Sequence, residues 1–180
     1  MKNIPLIVLS LVVLIISAPV HAEQKKSAAK LVLTLDSLPQ LTRTMHENLL
    51  AAAKQGDLEE LRDIFETNEL APDLSEDHIN DPIEHWKSQS IDGSGRDIMA
   101  SIIEVFSLPP VKTKDGDYIW PYLSQMPLNK LTKAQAIDLF RLVGPEQASK
   151  MLKNNRYDYF EAKIGKDGTW HSFKRTATNK

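Results

Sequence analysis

The chain has 180 residues, of which 42% are hydrophobic and 26% are charged, with no cysteine and a formal net charge of −2. This composition is typical of a folded globular protein and excludes a disordered or low-complexity chain. The near-neutral charge also excludes the strongly basic surface with which proteins bind nucleic acids. Without cysteine there is no disulfide, thiol nucleophile, zinc thiolate site, iron–sulfur cluster or c-type haem attachment.

Residues 1–22 have the pattern of a secretory signal peptide. Lys2 precedes an apolar run from Ile4 to Ile16, and Val20 and Ala22 provide small residues before the polar segment that follows. The run is short for the roughly 20 residues that cross a bilayer core, although an uncleaved N-terminal anchor remains the alternative. We predict cleavage after Ala22, a periplasmic or secreted location, and no permanent membrane anchor. Because no cysteine follows the segment, a lipid-anchored lipoprotein is excluded.

A flexible segment, 23–40, and a single globular domain, 41–175, are predicted to follow. Residues 31–35 within the flexible segment fit either a short strand or the start of the first helix. In the domain, Leu41, Met45, Leu49 and the alanines at 52–53 recur at helical spacing.

Gly56 is predicted to end this first helix, and Asp57 to begin a second one with Leu58 and Leu61 on its buried face. Residues 49–65 resemble the helix pair of an ankyrin repeat. The pattern occurs once, without the T-P-L-H segment, and one repeat cannot bury its own apolar face. We therefore interpret it as an ordinary helical hairpin.

The middle of the chain is predicted to form two further helices. Asp81 and Pro82 are typical of a helix start, and Ser94 is predicted to cap the next helix after a turn. Apolar residues between Ile98 and Phe106 cover more than one face of that helix, which indicates a buried position in the core. The prolines at 109–110 are expected to end it.

Near the C-terminus, Thr132 and Gln135 form a capping box that predicts another helix, carrying Leu139, Phe140 and Val143 on its apolar face. The Gly-Pro pair at 144–145 is expected to break this helix and to start one that runs to about residue 154.

Two short β-hairpins are predicted, near 111–120 and 157–173. In the second hairpin, a three-residue turn with Gly168 in the left-handed conformation pairs Ile164 with Trp170. The other register pairs Phe160 with Phe173 and places Trp170 opposite Lys163. We favour the first because it pairs an aliphatic with an aromatic side chain. With about six helices, the prediction is a helix-rich α+β single domain.

Several motifs together resemble a group of exported proteobacterial proteins without an assigned activity. The resemblance covers about residues 45–173. It implies export and a single domain, and it transfers no catalytic role. The motifs are D-P-I-E-H-W at 81–86, G-S-G-R-D-I at 93–98, Y-I-W-P-Y at 118–122 and D-G-T-W at 167–170.

Aromatic residues at the ends of predicted elements form the main candidate ligand site. Aromatic rings with polar edges suit a face that binds a sugar or a peptide. The alternative is that these rings seal the small sheet against the helices, and the exposure of the tryptophans distinguishes the two. The candidate residues are Trp86, Tyr118, Trp120, Tyr122 and Trp170.

Gly93, Gly95 and Arg96 form a second candidate site, since free backbone N–H groups before a helix can hold an anion. The alternative is a tight turn between helices. The acidic stretch at 73–81 lacks the spacing of a calcium loop, so we predict a solvated loop, no metal site and no cofactor.

The sequence carries no G-x-S-x-G elbow or other catalytic motif. We therefore predict a non-catalytic binding or accessory domain of the cell envelope. The expected partner is an envelope protein, a peptide or a glycan, and not a nucleic acid. The alternative is a periplasmic hydrolase with a histidine–acid site around His85 or His171. A structural accessory without a ligand is the third possibility, and a wholly buried aromatic set would favour it.

Overall fold

A computed structural model describes residues 30–32, 34–75 and 79–176. These residues form five helices and a five-stranded sheet, which confirms the predicted α+β fold class. The predicted signal peptide, 1–22, lies outside the described residues. The helices are α1 (Gln40–Gln55), α2 (Arg62–Thr67), α3 (Pro82–Gln89), α4 (Arg96–Ser107) and α5 (Lys133–Asn154), and the strands are β1 (Lys30–Leu31), β2 (Val111–Lys112), β3 (Tyr118–Trp120), β4 (Phe160–Ile164) and β5 (Trp170–Arg175).

The sheet joins both predicted hairpins, with its strands in the order β1-β2-β3-β4-β5 and every neighbouring pair antiparallel. The hairpins meet where Tyr118 of β3 pairs with Ile164 of β4. At the other edge, Lys30 and Leu31 pair with β2. Part of the segment predicted to be flexible, 23–40, is therefore held by the sheet.

The register of the second hairpin is the one that the three-residue turn predicts. Ile164 pairs with Trp170, and a bulge follows between Lys163 and Ile164. Gly168 takes the left-handed conformation with φ +89°, which allows this turn without strain on a side chain.

Local capping chemistry places several helix ends where the sequence predicts them. Asp81 Oδ1 accepts hydrogen bonds from the backbone N–H groups of Ile83 and Glu84 at 2.8 and 3.2 Å. Thr132 and Gln135 form the predicted capping box at the start of α5. Gly144 interrupts α5 with non-helical dihedral angles, as expected from the Gly-Pro pair.

The predicted capping role of Ser94 is wrong, because Gly95 occupies the N-cap position directly before α4. Gly95 has φ +78°, and an added Cβ would lie 2.0 Å from Cδ1 of the buried Leu58. Ser94 instead bonds to the carboxylate of Asp92. Close packing between this turn and Leu58 therefore selects glycine at the start of the helix.

The buried face of α1 differs from the apolar stripe predicted for it. Leu41 is 60% exposed, whereas Thr42 and His46 are buried. Thr42 Oγ1 donates to the Gly165 carbonyl oxygen at 2.8 Å, and His46 Nε2 lies 3.1 Å from the Phe106 carbonyl oxygen. These hydrogen bonds satisfy Thr42 Oγ1 and His46 Nε2, whereas the buried His46 Nδ1 has no partner among the described residues. The predicted apolar face of α5 also fails at Phe140, which is 39% exposed.

Two aromatic clusters fill the core on which the helices pack. Trp86 of α3 contacts Phe65, Trp170 and Phe173, while His46 of α1 stacks on Trp120. The first cluster lies beneath α3 and the strands β4 and β5. Its rings also support one wall of a cavity between α3 and α4.

Candidate functional site

A cavity of about 590 Å³ lies where α3 and α4 meet the ends of β4 and β5. Its volume is within the roughly 300–1,000 Å³ of pockets that bind small ligands. We call it the α3–α4 cavity. The side chains that give it its chemical character are Trp86, Asp97, Ser101, Glu104, Tyr159 and Arg175.

Aromatic rings from the first core cluster line part of the cavity. Trp86 is 2% exposed and lies in edge contact with Phe173, and Phe160 stacks on Phe173 with ring centroids 4.9 Å apart. Both Trp86 and Phe160 line the cavity, as does Ile98 of α4. This apolar surface is thus held by the core and is formed before any ligand binds.

One stripe of α4 provides the polar wall. Asp97, Ala100, Ser101 and Glu104 are spaced so that they follow one another along one helix face, and all four line the cavity. Ser101 Oγ donates to the Asp97 carbonyl oxygen at 2.8 Å and lies 2.9 Å from the Tyr159 hydroxyl. Because the single serine proton goes to the carbonyl, the Tyr159 O–H donates to Ser101.

In this wall, one carboxylate oxygen of Asp97 has no hydrogen-bond donor among the described residues. Its Oδ1 atom is buried, and no donor among residues 30–32, 34–75 and 79–176 bonds to it. Its Oδ2 atom accepts a long 3.4 Å hydrogen bond from the Ile91 N–H. A buried carboxylate oxygen without a donor is unfavourable, so this position favours a bound donor group.

The end of β5 provides a basic wall. The Arg175 guanidinium lies over the rings of Phe160 and Tyr159, 4.8 and 5.5 Å from their centroids. Within the part of the chain that the structure describes, Arg175 forms no ion pair. Lys174 also lines the cavity and pairs with Asp73. The cavity therefore has acidic groups on α4 and basic groups on β5.

The aromatic residues predicted as a ligand-binding face do not form a surface. Each is at most 3% exposed, and among the five only Trp86 lines the cavity. The physical reason is that these rings close the sheet against the helices, which is the alternative that the sequence left open. The four that lie in the core away from the cavity are Tyr118, Trp120, Tyr122 and Trp170.

The polar atoms of Tyr122 and Trp170 have hydrogen-bond partners within the protein, whereas the buried Trp120 Nε1 has none among the described residues. The Tyr122 hydroxyl donates to Asp138 Oδ2 at 2.8 Å, and burial raises the pKa of that hydroxyl above its usual range. Trp170 Nε1 donates to the Ser172 carbonyl oxygen at 3.0 Å. Neither group is directed to a ligand.

In the loop predicted as an anion site, at Gly93, Gly95 and Arg96, the protein's own acceptors engage the groups that an anion would use. The Gly95 N–H donates to Ser90 Oγ at 2.9 Å, and Arg96 pairs with Asp92 at 3.3 Å. The Asp92 carboxylate also accepts bonds from Ser94, which hold its pKa well below the usual range. An ionised carboxylate in the loop repels an anion.

The histidines occupy three different environments. His85 lines the α3–α4 cavity and His46 is buried in the core. His171 lies near Asp167, whose carboxyl has a pKa that is lowered mainly by the hydrogen bond from the Thr169 N–H. No group of three histidine or acidic side chains within the described residues could hold a metal ion. His78, from the acidic stretch, lies outside those residues.

Sequence reasoning missed Asp97, Ser101, Glu104 and Arg175 as site residues. The signal that could have found the first three is the polar stripe that they form, at helical spacing, on an otherwise apolar helix. Arg175 had no comparable signal, because its position at the cavity depends on how β5 packs beside α4.

Comparisons with protein-family models, curated proteins and solved structures found no match for the chain. Among the described residues, no helix combines the length and apolar character needed to cross a membrane. The function proposed below is therefore supported by the geometry of the cavity.

Proposed function

We propose that this protein is a non-catalytic binding domain and that the α3–α4 cavity holds its ligand. The observation that carries this proposal is a preformed cavity of about 590 Å³ that combines an aromatic surface with acidic and basic groups. Pockets that bind small molecules are built in this way, with mostly apolar walls and a few polar groups that orient the ligand.

The hydrogen bonds of the cavity favour binding over catalysis. Ser101, the serine of its polar wall, donates to the Asp97 carbonyl oxygen and accepts from Tyr159. Nucleophilic catalysis requires a general base that accepts the serine proton. Here the serine O–H donates its hydrogen bond to a backbone carbonyl, which is too weak a base to remove the proton, so the serine serves to join α4 to Tyr159.

The binding proposal is tested by filling the cavity. Ala100 is exposed and lines the cavity, so Ala100→Phe places a ring in the ligand space without disturbing the core. Ala134→Phe, at an exposed position of α5, is the matched control. A thermal-shift screen of short peptides, glycans and nucleotides is expected to yield ligands that stabilise the parent protein and the Ala134 variant.

The Ala100 variant is expected to lose that stabilisation. Equal stabilisation of both variants would place binding elsewhere, and the absence of any stabilising ligand would count against the proposal.

We also propose that the domain acts outside the cytoplasm, in the cell envelope. The charged start, apolar run and small-residue site of residues 1–22 support this proposal. The test is expression of the full chain in a Gram-negative host, followed by mass spectrometry of the periplasmic fraction. A mature protein that begins at Glu23 is expected, and a full-length cytoplasmic or membrane-bound chain would contradict the proposal.

A hydrolase is the second candidate, because His85 lines the same cavity as Asp97 and Glu104. A histidine and a carboxylate in one cavity are the groups that general acid–base hydrolysis uses. This candidate predicts release of products from cell-envelope substrates by the purified protein, with loss of that release in His85→Gln. His171→Gln is the control for the other histidine. Activity that neither variant changes would exclude both histidines.

A further inference from the structure

We propose that the ligand of the α3–α4 cavity is a short peptide with a free amino group and a free carboxylate. This inference rests on the proposed function, because it names the class of ligand for the same cavity. The acidic side chains lie on α4 and the basic side chains lie on β5. The charged groups that have no partner within the described residues indicate which opposite charges the ligand must supply.

The α4 wall requires a cationic donor. Asp97 Oδ1 has no hydrogen-bond donor, and Glu104 has no ion pair, among the residues that the structure describes. A carboxylate that is withdrawn from water is stabilised by a charged N–H donor. A protonated amine offers three such donors and a positive charge, so it satisfies this wall.

The β5 wall requires an anion. The rings of Phe160 and Tyr159 support the guanidinium of Arg175, which orients this planar group at the cavity. A guanidinium binds a carboxylate through two parallel N–H···O bonds, so it favours this planar anion. Lys174 also lines this wall, but its charge is already balanced by the ion pair with Asp73.

The remaining surface is apolar. Trp86, Phe160 and Ile98 line the cavity, and Ile91 at its boundary is 94% exposed. The Ile91 side chain would extend this apolar surface for a bound molecule. The side chains of a short peptide would contact these groups while its two ends reach the charged walls.

Other classes of ligand match this distribution less well. A nucleotide has phosphates that suit Arg175 but no cationic group for Asp97 and Glu104, and a fatty acid has the same deficit. A neutral sugar would leave both Asp97 and Arg175 without an opposite charge. A peptide with two free ends gives each wall its counter-charge.

The test uses the tripeptide Ala-Leu-Ala and two blocked forms of it, one N-acetylated and one C-amidated. Binding to the mature chain is measured by isothermal titration calorimetry at low salt. Because each end makes a charge-assisted hydrogen bond, either block is expected to weaken binding by about tenfold.

Charge-removing variants assign each peptide end to its wall. In Asp97→Asn, acetylation is expected to have little further effect, whereas amidation still weakens binding. In Arg175→Gln the pattern is reversed. Glu146→Gln and Arg141→Gln remove exposed charges on α5 and are expected to retain both effects. Glu104→Gln is a second variant on the acidic wall, and thermal unfolding checks that every variant folds.

Blocked peptides that bind as tightly as the free tripeptide, or no tripeptide binding at all, would overturn the inference. If tripeptides fail while another compound still stabilises the parent protein but not Ala100→Phe, the proposed binding function stands and the peptide assignment falls. If no compound stabilises the parent protein, both fall.

Discussion

Gly95 illustrates how one residue links a turn to the core. It is the N-cap of α4 and has a positive φ, and the nearest atoms to an added Cβ belong to the buried side chain of Leu58. Gly93, two residues earlier, also has a positive φ but has nothing within 4 Å of an added Cβ. An alanine at Gly93 would therefore meet backbone strain alone, whereas an alanine at Gly95 would meet both backbone strain and a steric clash.

We predict that Gly93→Ala lowers the free energy of unfolding by about 1–2 kcal/mol, the usual cost of a left-handed alanine. Gly95→Ala is expected to cost about 1–3 kcal/mol more, because it also displaces Leu58. Urea unfolding of both variants measures the difference. Equal losses would show that contact with Leu58 does not select the glycine.

His46 makes the stability of the fold depend on pH. Burial lowers the pKa of its ring below the ordinary value of 6.5, although the hydrogen bond to the Phe106 carbonyl oxygen opposes this shift. Below pH 6.5 the unfolded chain takes up a proton that folded His46 resists, so protonation favours unfolding. The free energy of unfolding therefore carries no penalty from His46 above this pH, and it decreases as the pH falls below it.

We predict that the free energy of unfolding decreases between pH 7 and pH 5, and that His46→Gln weakens this dependence. Glutamine can still donate to the Phe106 carbonyl oxygen. His171→Gln is the matched control, because His171 is only half-buried, and it is expected to retain the dependence. Chemical denaturation at several pH values measures the three curves. Parallel curves for the parent protein and the His46 variant would contradict this account.

At the level of elements, the correct predictions are those that depend on neighbours along the chain. Asp81 and the Thr132 capping box place the starts of α3 and α5, and the turn at Gly168 determines the register of the last hairpin. Ser94 was predicted wrongly because a serine before a helix is an N-cap only if the backbone places it there. Contact with Leu58 shifts that position to Gly95.

This difference between the helix starts predicts different costs for two alanine variants. Asp81→Ala is expected to lose about 1 kcal/mol of unfolding free energy, because it leaves two N–H groups of α3 without their acceptor. Ser94→Ala is expected to cost less than Asp81→Ala, because it removes one hydrogen bond to the Asp92 carboxylate within the turn and leaves the N–H groups of α4 unaffected. Thermal or urea unfolding measures both. A larger loss for Ser94→Ala would restore that serine as a cap.

At the level of the whole molecule, the sequence shows aromatic residues near the ends of predicted elements. It does not show whether their rings face solvent or pack between the sheet and the helices. Trp120 and Trp170 are 0% exposed, and they pack in separate clusters. The α3–α4 cavity could not be predicted, since its walls come from α3, α4 and the ends of β4 and β5. Such a site depends on tertiary packing between segments that are distant in the chain.

The central claim is that the α3–α4 cavity binds a ligand, and the indole N–H signals in an NMR titration test it most directly. The three tryptophans provide separate probes, because Trp86 lines the cavity, Trp170 contacts Trp86, and Trp120 lies in the other cluster. With ligands from the thermal-shift screen, the signal of Trp86 is expected to shift while that of Trp120 stays in place. An unchanged Trp86 signal under saturating ligand, or a shift of Trp120 alone, would contradict the account.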